Sequence, residues 1–328
     1  MSSQTNSQYS VVQPGNPALR LLDEKIVTGF LGSYGHPQTK RTYRHSLGLF
    51  KGWIASSPWE YQGFNLLADF RAYLQTRIET DDHKLRLSAY SVGLYMAVIK
   101  KYVKFLYQTG LLDHNPGESV KGFRRNASHY RRALDRNSEI PRLFDAMDRT
   151  TEIGARDYAI ITLLAYTGIR GFELVAADYG DMDSIEGRPI LWVRSKGKLG
   201  KSEYVFITEQ PYKALLAYLL RRKGLSKRSP LFVGSQPNGS WQRITVRAVR
   251  TRVDHWLKKA GLKTARVTMH SLRHTAAIAA LKNGADIRAV QGMLRHSDAK
   301  TTMVYLQDIS RHDKPAEDMV AYGPNGRK

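Results

Sequence analysis

The chain has 328 residues and a mass of 37.2 kDa, enough for about two domains of ordinary size. Lysine and arginine number 51 against 29 acidic residues, so the formal net charge is +22, and we expect a polyanionic partner, nucleic acid above all. Because the sequence contains no cysteine, it excludes disulfide frameworks, thiolate zinc sites and cysteine nucleophiles.

The N-terminal sequence has neither the basic start nor the apolar run of a secretory signal. The longest apolar stretches, such as Ala159 to Tyr166, are far shorter than the roughly 20 residues that cross a bilayer. We therefore expect residues 1–17 to form a disordered arm on a cytoplasmic protein without a membrane role.

Residues 18–115 have apolar side chains three and four positions apart, a pattern that predicts an all-helical domain. The predicted helices are Leu21–Leu31, Thr42–Ile54, Leu66–Ile78 and Ser91–Leu106. Basic residues on their polar faces would either hold DNA phosphates or simply face solvent. The candidates for DNA contact in this domain are Lys40, Arg41, Arg44, Lys100 and Lys101.

Helix breakers and positive charge mark residues 116–136, which we interpret as a basic interdomain linker. A second domain, mixing helices with a few strands, is predicted over residues 137–310, and a tail over 311–328. Its predicted helices are Ile140–Met147, Ala155–Tyr166, Gln210–Arg222, Arg243–Ala260, Ser271–Asn283, Ile287–Leu294 and Thr301–Ile309. Gly168 would supply a left-handed cap to the second of them.

Two predicted strands, Pro189–Arg194 and Glu203–Thr208, enclose the basic loop Ser195–Ser202, a pattern typical of a hairpin. The loop ends in Gly-Lys-Ser, as phosphate-binding loops of nucleotide hydrolases do. Ser195 stands where such a loop needs glycine, however, and the loop leads into a strand that offers no helix N-terminus to the phosphates. A hairpin that presents lysines to a nucleic-acid backbone is the better interpretation.

Metal-dependent chemistry has little support in the sequence. Asp181 and Asp183 stand in loop-like sequence, where solvation accounts for them, and the ten histidines include no H-E-x-x-H pair. We predict no metal and no cofactor.

Three short motifs in the second domain carry residues suited to binding an anion. They are Thr167-Gly-Ile-Arg170-Gly-Phe-Glu173, His270-Ser-Leu-Arg273-His-Thr275, and Leu294-Arg-His296 with Tyr305 nine residues later. Arg170 follows an apolar helix, where its charge needs an acid such as Glu173 or a bound anion. His270 and Arg273 are three apart and share one helical face. Each motif alone could be a structural ion pair or a surface histidine.

Together the motifs resemble the tyrosine recombinase (phage integrase) family. The resemblance implies a mainly α fold, in which a helical core-binding domain precedes an α+β catalytic domain with a small antiparallel sheet. It identifies the catalytic residues as Arg170, Lys196, His270, Arg273, His296 and Tyr305, with Glu173 as the supporting acid. The sequence departs from the family at Arg295, where relatives commonly have glycine, and at Ser271, where aspartate is frequent.

The resemblance also implies the chemistry. Tyr305 would attack a phosphodiester held by Arg170 and Arg273, His296 would add a hydrogen bond, and His270 would accept the phenol proton. Lys196 would protonate the departing 5′-oxygen, while Lys198 and Lys201 in the same loop are alternatives for that role or contact phosphates.

The implied function is site-specific recombination of duplex DNA through a 3′-phosphotyrosyl intermediate and a Holliday junction. A homotetramer on paired sites would carry it out in the nucleoid, with accessory DNA-bending or directionality proteins, for integration, excision or resolution of a mobile element. The tail 311–328 would be exchanged between protomers. Two alternatives stay open: a DNA-binding regulator that has the fold without the chemistry, and a type IB topoisomerase that relaxes supercoils.

Overall fold

The computed structural model describes residues 17–56, 66–83, 85–123, 132–194, 200–235, 241–296 and 298–308. The chain divides into two compact units, Met1–Asn126 and Ala127–Lys328. The division lies inside the segment that the sequence analysis interprets as a linker.

In the first unit, the described residues form five helices joined by turns and loops, with no strand among them. Asp23 begins the second helix by accepting the N–H of Lys25 at 2.8 Å, which explains why this helix starts later than the predicted Leu21. Ser88 caps the last helix in the same way through the N–H of Ser91. The helices are α1 (Pro17–Arg20), α2 (Glu24–Gly32), α3 (Pro37–Ser56), α4 (Leu66–Glu79) and α5 (Ala89–Gln108).

Aromatic side chains fill the core of this unit. Phe50 and Phe70 meet edge to face with ring centroids 4.7 Å apart, and Phe30 meets Tyr102 in the same way at 5.1 Å. The Tyr102 hydroxyl donates to the carbonyl of Leu21, so a fully buried ring still satisfies its polar end. The predicted all-helical domain is confirmed.

The second unit combines helices with two small antiparallel sheets. Its helices are α6 (Glu139–Asp145), α7 (Glu152–Thr167), α8 (Gly171–Ala176), α9 (Glu209–Leu219), α10 (Val246–Lys259), α11 (Met269–Lys282), α12 (Ile287–Leu294) and α13 (Ala299–Met303). Short 3₁₀ helices cover Tyr179–Asp181 and Val304–Asp308. The strands are β1 (Met182–Ile185), β2 (Arg188–Val193), β3 (Glu203–Phe206), β4 (Val233–Ser235) and β5 (Trp241–Arg243).

Helix α7 is the centre of this unit and is buried on nearly every face, with α9 and α11 packed against it. It ends at Gly168, whose φ of 59° gives the left-handed cap that the sequence predicts. Its buried Asp157 accepts from Arg156, Arg252 and the indole N–H of Trp256, which ties α7 to α10.

The predicted hairpin is present as β2 and β3, and β1 adds a third strand on the other side of β2. The prediction that Asp183 lies in a loop was wrong, because this residue belongs to β1, but its side chain is exposed as expected and accepts from the indole of Trp192 at 3.2 Å. The predicted start of a helix at Arg243 was also wrong. Arg243 ends β5, and α10 begins only after Thr245, whose side chain caps it.

Candidate active site

Arg170 stands at the start of α8, immediately after the turn that ends α7. Its backbone N–H donates to Glu173 Oε2 at 2.9 Å and its Nη1 donates to Glu173 Oε1 at 2.8 Å. Its Nη2 donates to the carbonyl of Arg295 at 3.0 Å. The Glu173 side chain is fully buried, so it fixes the orientation of Arg170 from inside the protein.

Arg273 lies on α11, where it is almost completely buried. Its guanidinium donates to the carbonyl of Gly168 and, at 2.6 Å, to that of Leu294, so it joins the ends of α7 and α12. Burial, followed by the nearby charge of Arg170, lowers the pKa of Arg273 to about 10. The side chain therefore keeps its charge at neutral pH. His270, one turn earlier on α11, is exposed.

His296 follows α12, and its Nδ1 lies 2.8 Å from the hydroxyl of Thr302 on α13. Burial lowers the pKa of His296 to about 4, helped by the charges of Arg273, Arg170 and Arg295. The imidazole is therefore neutral at pH 7, and the contact of Nδ1 with Thr302 leaves Nε2 available for a further hydrogen bond. Thr302 stands three residues before Tyr305, and no role was predicted for it from the sequence.

Tyr305 lies in the 3₁₀ helix that follows α13, with only 5% of its surface exposed. The ring of His274 meets it edge to face at 5.2 Å, and the ring of His296 lies nearly parallel to it at 6.2 Å. An apolar cluster that includes Leu281 and Leu294 also holds it. His274 was missed as a neighbour of the site, although it follows His270 by four residues on the same helix and that spacing places both on one helical face.

One cavity of about 410 Å³ joins the separate motifs. Five of the predicted catalytic side chains line it, namely Arg170, His270, Arg273, His296 and Tyr305. A larger cavity of about 870 Å³ shares three of these residues and is extended by further arginines, Arg250, Arg288 and Arg295. A phenol, neutral imidazole and two guanidinium groups around one space can hold a phosphodiester and attack it.

Arg295 closes α12 in the left-handed conformation, with φ 53° and ψ 49°. Glycine adopts this conformation without strain, which gives a physical reason for the glycine that relatives commonly have here. The Arg295 guanidinium is buried against Glu173, with 2.7 Å between Nη2 and Oε2. Burial raises the pKa of Glu173, but Arg295 and Arg170 outweigh it and hold that pKa below its ordinary value.

Of the three lysines in the hairpin loop, Lys201 lies within the described residues. Lys196 and Lys198 lie outside the described residues. Lys201 is described, and its Nζ contacts Asp178 at 2.7 Å and also Asp181, so its charge is met within the chain. The expectation that Asp181 is merely solvated was therefore wrong.

The predicted DNA-contacting residues of the first unit lie on two helices. Lys40, Arg41 and Arg44 are on α3, where Arg44 pairs with Glu24 at 2.9 Å while both side chains stay largely exposed. On α5, Lys100 donates to the carbonyl of Val120 at 2.7 Å, and Lys101 donates to the hydroxyl of Tyr43 at 3.0 Å. Their contact with DNA stays a prediction.

No group of three or more histidine, aspartate or glutamate side chains in the described residues could hold a metal ion. Within the same ranges, no helix is both long and apolar enough to span a membrane.

Comparison with known proteins agrees with the geometry. The sequence profile of the "Phage integrase family" matches residues 135–312. The tyrosine recombinase XerC of Haemophilus ducreyi is 32% identical over 237 residues, 72% of this chain and 74% of the relative. The XerC of Oceanobacillus iheyensis is 29% identical over 307 residues, 89% of this chain and 92% of the relative.

Two solved structures have a similar fold. The XerH site-specific recombinase bound to a palindromic difH substrate superposes with a TM-score of 0.70 at 18% identity, covering 86% of this chain and 80% of that one. A lambda integrase dimer bound to a core site superposes with a TM-score of 0.65 at 15% identity, covering 86% and 96%. At these identities the likeness establishes the fold, mainly α with small antiparallel sheets.

Proposed function

The chain belongs to the phage integrase family of tyrosine recombinases, enzymes that transfer DNA strands, and on this premise we propose how its own residues recombine duplex DNA at specific sites. The observation that carries the proposal is the single cavity lined by Arg170, His270, Arg273, His296 and Tyr305. These residues are separated by up to 135 positions in the sequence, and a merely structural role would not require them to share one space.

Charge stabilisation is the first requirement of the reaction. Attack on a phosphodiester places additional negative charge on the non-bridging oxygens. In our proposal Arg170 and Arg273 donate to these oxygens, and neutral His296 donates through Nε2. Because both arginines are already anchored, Arg170 by Glu173 and Arg273 by two carbonyls, they need little reorganisation when the charge develops.

Bond exchange follows from the position of Tyr305. Its phenolic oxygen attacks phosphorus as the bond from phosphorus to the 5′-oxygen breaks, and the product is a 3′-phosphotyrosyl linkage with a free 5′-hydroxyl. The phenol proton passes to His270, and the 5′-oxygen takes a proton from Lys196. The number of phosphoester bonds is unchanged, so rejoining by a partner strand needs no nucleotide hydrolysis.

Recombination exchanges both strands of each duplex, in two steps that pass through a Holliday junction. It therefore requires two duplex sites and four active sites. We infer that four copies of the chain assemble on paired DNA sites in the nucleoid, with accessory proteins setting direction. Among the biological roles, we propose integration, excision or resolution of a mobile element.

The test is covalent trapping on nicked duplexes that tile the DNA flanking the coding sequence. The wild-type protein should give a protein–DNA adduct on a denaturing gel, and Tyr305→Phe should give none. Tyr166→Phe, at an exposed position on α7, is the matched control and should give the wild-type yield. Sequence-specific binding without any adduct would instead identify a regulator, and relaxation of plasmids that lack the trapped site would identify a topoisomerase.

A further inference from the structure

We propose that Arg295 is a positioning residue that offsets the charge of Glu173 and thereby returns a net positive charge to the Arg170 side of the active site. The inference rests on the proposed function and concerns a position where this chain departs from the glycine common in its family. An arginine at the end of α12 needs a physical reason, because the left-handed backbone conformation there favours glycine.

The two oxygens of the Glu173 carboxylate are divided between the two arginines. Oε1 accepts from Arg170 Nη1 at 2.8 Å, while Oε2 accepts from Arg295 Nη2 at 2.7 Å and from the backbone N–H of Arg170. Both the Glu173 and the Arg295 side chains are almost completely buried, with 0% and 3% of their surface exposed. Solvent therefore screens this group of charges only weakly.

Arg295 decides whether this group of side chains carries a net charge. Arg170 and Glu173 alone form an ion pair with a formal charge of zero, which is poorly suited to a dianion-like transition state. With Arg295 the three residues carry +1. A glycine at this position would keep the carbonyl that accepts from Arg170 Nη2, so the contribution specific to arginine is its charge.

Two further observations bear on this charge, and the first places it beside the three catalytic side chains that the larger cavity shares with the smaller one. Arg295 lines the cavity of about 870 Å³ together with Arg170, His270 and His296. Its Nη1 donates to the carbonyl of Met293, whereas its buried Nε has no hydrogen-bond partner within the described part of the chain. The side chain is thus buried without using all of its donors, as expected of a group retained for charge.

The experiment compares single-turnover cleavage of a nicked site by four proteins: wild type, Arg295→Gly, Arg295→Met and Arg295→Gly/Glu173→Gln. We expect both single variants to lose about tenfold or more in rate, since each removes one poorly screened charge near the reacting phosphate. Arg295→Met places a side chain without charge on the same left-handed backbone. If its cleavage rate equals that of Arg295→Gly, the loss of rate is due to the missing charge. Removing the opposite charge in the double variant should recover part of the lost rate, but not all of it, because Glu173→Gln also weakens the anchor of Arg170.

A second measurement does not depend on activity. NMR titration of His296 should show that Arg295→Gly raises the pKa of this imidazole and that the double variant returns it towards about 4. If wild type forms no adduct but His296 responds in this way, the proposed function fails and the charge relation stands. Cleavage by Arg295→Gly at the wild-type rate, or a double variant no faster than Arg295→Gly, overturns the inference.

Discussion

Replacing Thr302 by valine removes the hydrogen bond of the His296 imidazole to the Thr302 hydroxyl, while it keeps the shape of the Thr302 side chain. Thr302 is fully buried, so the loss leaves Nδ1 of a largely buried imidazole without its partner. An unsatisfied buried polar group costs about 1–3 kcal/mol. If the transition state bears that cost through a misaligned Nε2, cleavage slows by roughly 5- to 150-fold.

The assay is single-turnover formation of the protein–DNA adduct on a nicked site, with binding measured separately. Thr302→Ser retains the hydroxyl and should recover most of the rate. Thr162→Val is the matched control, because it removes a buried helical hydroxyl that bonds backbone carbonyls away from the site, and it should lower stability without slowing cleavage. A folded Thr302→Val protein with the wild-type rate, or equal losses for valine and serine, would refute the reasoning.

Three further outcomes follow from the site. Gly168→Ala should destabilise the protein by about 2–4 kcal/mol in urea unfolding, because φ is positive there and the added Cβ would lie only 2.6 Å from a leucine side chain. Gly187 also has a positive φ but faces open space, so Gly187→Ala should cost only about 1 kcal/mol. The folded pKa of His296, about 4, lies below its unfolded value of about 6.5, so unfolding free energy should fall as pH drops from 6.5 to 4, and His296→Gln should flatten that slope in thermal unfolding. Lys196→Met should cleave an ordinary site slowly. It should cleave a substrate with sulfur in place of the bridging 5′-oxygen at nearly the wild-type rate, because a thiolate leaves without taking a proton. If the sulfur substrate restores cleavage by Lys201→Met to the same extent, Lys201 would be the general acid instead.

The sequence predicted the long elements well because their patterns are strong. Helix α7 has an apolar run and a glycine cap, and the β2–β3 hairpin has two apolar strands around a basic loop. Strand β1 was missed because four residues, Met-Asp-Ser-Ile, carry no clear alternation. Strand β5 was missed because all three of its residues are exposed, and its Arg243 was therefore assigned to the following helix.

The candidate site was predictable in its chemistry but not in its supports. Arg170, Arg273, His296 and Tyr305 stand in motifs whose order is specific. The contact between Thr302 and His296 depends on how α13 follows α12, and the sharing of Glu173 with Arg295 depends on how the end of α12 meets α8; no local sequence pattern contains either.

The most direct test of the account is the chemical identity of the protein–DNA linkage. After trapping, nuclease and trypsin digestion, mass spectrometry should find a nucleotide joined through its 3′-phosphate to the peptide Thr301–Arg311, in which Tyr305 is the only tyrosine. A linkage to any other peptide, or one through a 5′-phosphate, would contradict the assignment of Tyr305 as the nucleophile and with it the mechanism.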